Sequence, residues 1–242
     1  MIMLGTALWP GGNAALAHPG DAVIKKMDAA LSRARDQTME VEMVVADPGK
    51  ATRRLLMQVH TRADKRRIRF LSPGDVKGLT MLVLTRTQMY VYLPAYRKIR
   101  RIASHVRAQT MFGADYNYDD MSTVSYGGVY LARTLTETKK HWTVRAALRP
   151  GQQSPYAKLE FRILKDNHLP DRIAYFNDQG KRVKSEVRGD YRCEKGVCGA
   201  WMMKMVDHTR NEHWTKLVRK SWALNSDFSD RIFSLRQLQR GR

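Results

Sequence analysis

The chain of 242 residues is short of acids, of cysteine and of long apolar runs. Its 23 Asp and Glu face 43 Lys and Arg, a formal charge of +20. Such a field favours anionic partners: nucleic acid, acidic membrane surfaces or acidic proteins. The cations are spread over nearly the whole chain, which suits the solvent faces of many strands better than one dedicated patch. With two cysteines, Cys193 and Cys198, a cysteine zinc site has too few ligands. No stretch approaches the ~20 apolar residues that span a bilayer. Gly-x-Ser-x-Gly, a phosphate-binding Gly-rich loop and a Cys–His signature are all missing, so no constellation supports an enzyme. His208 and His213 lie five apart, which is not the spacing of a metalloprotease helix. No metal or other cofactor is expected.

What is present begins with an uncharged segment, residues 1–17, ending in Ala15-Leu16-Ala17. That small-x-small pattern reads as the end of a secretory signal peptide, incomplete at its start because it lacks a basic n-region. The remainder, 18–242, contains no clear linker and reads as one domain in the periplasm. There, Cys193 and Cys198 flank a Gly-containing turn and are expected to form a disulfide. Residues 21–36 carry Val23, Ile24, Met27, Ala30, Leu31 and Ala34 at helical spacing, with Asp21 as N-cap and Asp36 as the end. From Thr38 the period changes to two. About a dozen strand patterns follow, broken by Pro, Gly and Asp turns, with one face apolar and one basic. Residues 230–239 read as a short C-terminal helix.

Residues 77–120 stand out. Two strand patterns lead to Tyr92-Leu93-Pro94, then to the ladder Arg97-Lys98-Ile99-Arg100-Arg101-Ile102. The irregular stretch 103–127 follows, aromatic enough to be ordered and long enough to be functional. Its Asp115, Asp119 and Asp120 fit caps or partners of nearby arginines better than a cation site. Thirteen methionines, many beside apolar runs, suit either core filling or a surface that adapts to varied apolar partners. Alternation places Met57, Phe70, Met81, Val83, Met89, Val91 and Leu93 as lining candidates, with Met111 and Phe112 in a covering loop. Cavity lining and core filling both remain open for them, since a slip of one residue inverts the inward face.

Lys77-Gly78, the run Met89 to Pro94, the run Arg97 to Ile102 and Gly113-x-Asp115-Tyr116-x-Tyr118-x-Asp120, in that order, resemble the outer-membrane lipoprotein-sorting protein family. This is the branch related to the periplasmic carriers LolA and LolB. The resemblance implies a mainly β protein with a few helices: a strongly curved antiparallel sheet forming an incomplete, half-open β-barrel covered by helices. It also implies a cavity that holds acyl chains of a lipoprotein or another lipid and moves them towards the outer membrane without covalent chemistry. Partners would be an inner-membrane exporter, an outer-membrane acceptor and anionic membrane surfaces, the last met by a basic rim of Arg97, Lys98, Arg100 and Arg101. That reading predicts a deep apolar cavity larger than an ordinary small-molecule pocket. The alternatives are a non-transporting sensor of the same fold and an exported nucleic-acid binder suggested by charge alone; nucleic acid is not the partner expected.

Overall fold

A computed structural model describes residues 19–46 and 49–240 of the chain. The signal-peptide expectation for residues 1–17 lies outside the described residues. The period-two runs form β1 (Gln37–Ala46), β2 (Arg53–Arg62), β3 (Lys65–Ser72), β4 (Thr80–Thr85) and β5 (Gln88–Leu93). The basic ladder forms one further strand, β6 (Lys98–Arg101), which exists by pairing with β5. After the irregular stretch come β7 (Tyr130–Glu137), β8 (His141–Leu148), β9 (Lys158–Leu164), β10 (Pro170–Phe176), β11 (Arg182–Glu194), β12 (Val197–Asp207) and β13 (His213–Leu224). No helix among the described residues is long and apolar enough to cross a membrane.

All 13 strands make one antiparallel sheet in the order β6-β5-β4-β3-β2-β1-β13-β12-β11-β10-β9-β8-β7. The first strand pairs with the last, Met43 opposite Leu217, so two meanders fuse at the centre. Side chains alternate across a strand, so register decides which residues share a face. Met57 lies opposite Phe70, and Ile68 opposite Met81, in one half. Phe161 lies opposite Val144 and Ile173 in the other. These residues meet in a single buried cluster. The sheet therefore curves around them, while its edges β6 and β7 stay unpaired with each other. This is the mainly β, half-open barrel that the resemblance implied.

Helix α1 (Pro19–Leu31) buries Val23, Ile24 and Met27 against β7 and β8. It starts at Pro19, where a missing N–H costs nothing, and it ends before Asp36. Asp21 has a different task from the expected cap: its carboxylate accepts the Ala132 N–H at 2.8 Å and so occupies a backbone donor of edge strand β7. A Cβ on Gly20 would come within 2.5 Å of the Arg133 nitrogen, so only glycine permits this close approach. Asp36 is fully buried beyond the helix and accepts from the Ser226 and Asp227 N–H groups and from Arg62.

The C-terminal segment divides into a 3-10 turn, Asp230–Phe233, and α3 (Leu235–Gln239), because Ser234 breaks the run and caps the second helix through Gln237 N–H. Phe233 and Leu238 pack with Leu82 and Tyr92 on the outer face of the sheet, a second core separate from the inner one. Phe233→Ala is expected to lower unfolding free energy by about 3 kcal/mol, by lost burial and a residual cavity. Tyr96→Ala, at a side chain 69% exposed, should stay within about 0.5 kcal/mol. Urea midpoints of both variants check this.

Candidate functional site

Strands β6 and β7 are neighbours in sequence but opposite edges of the sheet. Residues 102–129 must therefore cross the open side of the half-barrel. The crossing segment is pinned at its middle. Asp115, fully buried, receives hydrogen bonds from Thr215 Oγ1 at 2.7 Å and lies 2.7 and 2.9 Å from Nδ1 of His213, both on β13. Its own N–H donates to Thr215 Oγ1, and Lys184 of β11 donates to its carbonyl oxygen. Arg210 adds an ion pair at 3.3 Å. Next, α2 (Tyr118–Ser122) opens with a reciprocal cap between Asn117 and Asp120. Asp119 pairs with Arg86 at 3.1 Å. The far end is held by Asp28 of α1, which accepts the Tyr126 and Gly127 N–H groups. Asp115 and Asp119 are thus buried anchors, each paired with an arginine.

Between this cover and the concave face lies a cavity of about 250 Å³. Met57 and Val59 of β2, Ile68 of β3, Met203 of β12 and Leu217 of β13 form its apolar wall. The other side is polar. Glu186 accepts from Tyr175 Oη at 2.7 Å, Tyr116 Oη at 3.3 Å and the Arg188 guanidinium at 3.1 Å. Burial, reinforced by the Glu186 charge, pushes both phenols well above their ordinary value, so they act as hydrogen-bond donors. The cavity is smaller and more polar than the sequence predicts, below the ~300 Å³ at which ordinary ligand pockets begin. The reason is the cover: Tyr116, Met121 and Tyr126 reach into the space an open half-barrel would leave.

Met57 stands on the cavity wall. Phe70, Met81, Val83, Met89 and Met111 are buried in the inner cluster, with Val91 and Phe112 packed against it. The Phe112 ring meets Phe70 edge-on at 5.0 Å, closing that half of the barrel. Leu93 is half-buried at the end of β5. Alternation identifies the inward face but not which part of it the cover seals. Arg97, Lys98, Arg100 and Arg101 are exposed at the β6 edge. Cys193 and Cys198 are bonded across the β11–β12 hairpin. His208 bonds to Glu212 and Ser185.

Sequence reasoning missed the inward charges. Arg66 lies two residues from Ile68, Arg219 two from Leu217, and Lys184, Glu186 and Arg188 share one parity. A charged residue at the parity of buried neighbours was the available signal.

A family model described as that of an uncharacterized protein matches residues 62–240. The chain belongs to that family. No curated protein sequence matches it. Solved structures share its fold, among them the following three. An outer membrane lipoprotein-sorting protein domain from Vibrio parahaemolyticus is 19% identical with a TM-score of 0.83, covering 91% of this chain and 98% of that one. A DUF1329 family protein from Desulfovibrio piger is 19% identical with a TM-score of 0.84, over 91% and 99% of the two chains. A LolA superfamily protein from Nitrosomonas europaea is 16% identical with a TM-score of 0.76, over 90% and 98%. The fold is LolA-like along nearly the whole chain, so the resemblance carried by residues 77–120 holds at the level of architecture.

Removing the Asp115 carboxylate leaves His213 and Thr215 buried without their acceptor. Asp115→Ala is expected to cost about 3 kcal/mol and to speed amide exchange across residues 110–123, read by hydrogen–deuterium exchange. Asp120 supplies a pH test. Burial raises its pKa from the ordinary 3.8 to about 6, against the lowering effects of Lys184 and the Asn117 N–H. The folded state thus holds its proton more tightly than the unfolded state. The resulting stabilisation is complete below pH 3.8 and is lost as pH rises through about 6. Asp120→Asn should gain on the wild type by on the order of 2 kcal/mol between pH 4 and pH 7. A pH-independent difference in urea midpoints would show that this carboxyl titrates as an exposed one does.

Proposed function

We propose that the chain is a periplasmic carrier: residues 18–242 form a single lipid-binding domain that shields acyl chains of a lipoprotein or another lipid on their way to the outer membrane, without covalent chemistry. The observation that carries this reading is the cavity between the concave face and a crossing segment held by a few buried polar anchors. Each methylene exposed to water costs about 0.8 kcal/mol, so an acyl chain in an aqueous compartment needs such a shelter. Its flexible Met57, Met121 and Met203 can fit chains of different shape. The small volume means that larger cargo enters only when the cover moves away, and Phe70 and Met111 beneath Phe112 are then the next surface to be uncovered. The Cys193–Cys198 bond and the signal-like residues 1–17 support the periplasmic address.

The β6 edge supports a membrane or partner contact, with an exporter as donor and an outer-membrane receptor as acceptor. Arg97, Lys98, Arg100 and Arg101 are all exposed. At an anionic bilayer each adjacent cation contributes about 1 kcal/mol. Replacing all four by Ser should reduce binding to phosphatidylglycerol vesicles by up to about a thousandfold at low salt, read by co-sedimentation. The carrier reading is tested by native mass spectrometry of the protein purified from its own envelope and by uptake of a fluorescent fatty acid. A co-purifying lipid or lipoprotein is expected. A protein free of lipid that also takes up no fatty acid would overturn the reading.

A further inference from the structure

Five arginines line the cavity: Arg62, Arg66, Arg86, Arg188 and Arg219. Three are matched by acids, Arg62 by Asp36 and Asp230, Arg86 by Asp119, and Arg188 by Glu186. Arg66 and Arg219 face no carboxylate among the described residues. Arg66 donates to the Met121 carbonyl oxygen at 2.6 Å, and its Nε is buried without a partner. Arg219 lies 4.4 Å over the Trp222 ring and buries one terminal nitrogen without a partner. Gly199 leaves it room, since a Cβ there would come within 2.7 Å of that nitrogen. Burial pulls both guanidinium groups down to about 10, so both keep their charge at neutral pH.

Both side chains are partly buried, and a charge held there without a counter-charge is costly, so that an apolar side chain of similar volume is the more stable choice. These two groups stand on the inward face beside apolar wall: Arg66 is two residues from Ile68 on β3, and Arg219 lies opposite Val41 of β1. Two unmatched cations and an apolar wall in one enclosure are complementary to an anion that carries a hydrocarbon chain.

We propose that the cavity selects an anionic amphiphile, its chain against Met57, Val59 and Leu217 and its acidic head group drawn by the positive field of Arg66 and Arg219. This rests on the acyl-chain reading above and adds the charge of the ligand to it. The specificity is for a carboxylate or phosphate attached to a chain, over a neutral or cationic lipid of the same length.

The test is calorimetric titration of the full chain at pH 8 and low salt with laurate and dodecyltrimethylammonium below their micelle concentrations, dodecanol below its solubility limit, and inorganic phosphate. Laurate is expected to bind at least about tenfold more tightly than dodecanol, the cationic lipid more weakly than either, and phosphate alone hardly at all. In Arg66→Met/Arg219→Met the laurate preference should vanish while dodecanol still binds, which also shows that the variant folds. Each single variant should lose part of the preference. Should the double variant not fold, the wild-type ranking of the three chains decides by itself. Equal binding of laurate and dodecanol would overturn the anionic selection and leave the acyl-chain reading standing. Binding of none of the three chains would overturn both. Tight binding of inorganic phosphate would recast the cavity as a small-anion site and overturn the amphiphile.

Discussion

The buried carboxylate of Asp115 is the point that fastens the crossing segment to the sheet beneath it. It ties the segment crossing the open side of the barrel to His213 and Thr215 on β13, and β13 is the strand that joins the two meanders through β1. A crossing segment of this kind follows from the topology. A sheet that begins and ends at its centre leaves β6 and β7 at opposite edges, and the chain between them has nowhere to run except over the concave face. Once there, its backbone donors and acceptors are taken from water and need partners. Lys184, Thr215, Asp28 and Arg66 supply them.

That requirement explains why the interior is polar where a simple apolar lining was expected. Arg66 faces inward and satisfies the Met121 carbonyl. Glu186 collects two phenols and a guanidinium. The result is a cavity with one apolar wall and one hydrogen-bonded wall, covered partly by polar anchors and partly by apolar side chains such as Phe112. The edges follow the same economy: Asp21 occupies a backbone donor of β7, and β6 presents a row of cations to solvent, both of which discourage edge-to-edge association.

Most strands were legible because alternation is a local property: Leu55, Met57 and Val59 announce β2 without reference to anything distant. The ladder at β6 was not, because Lys98, Arg100 and Arg101 have no apolar face to show and the strand exists only beside β5. The Asp115–His213 contact joins residues 98 apart, and no short-range pattern encodes it. The lining was half legible. Parity placed Met57, Phe70 and Met81 on one face, yet it carried no information on where the cover would lie, so cavity wall and sealed core read alike. Arg66, Arg188 and Arg219 were legible in parity and were passed over because basic residues were assigned to solvent as a class.

By itself the sequence determined the strand count to within one, the apolar stripe of α1, the Cys193–Cys198 hairpin and the family motif in residues 77–120, since each depends on neighbours within a few positions. Tertiary structure alone decided that β1 joins β13, that residues 102–129 cover the barrel, and that five arginines share one cavity with three acids. The physical reason is that charge balance in an enclosed space is a sum over distant strands. A period of two gives the direction in which a guanidinium points. Only the closed fold shows whether a carboxylate is waiting there.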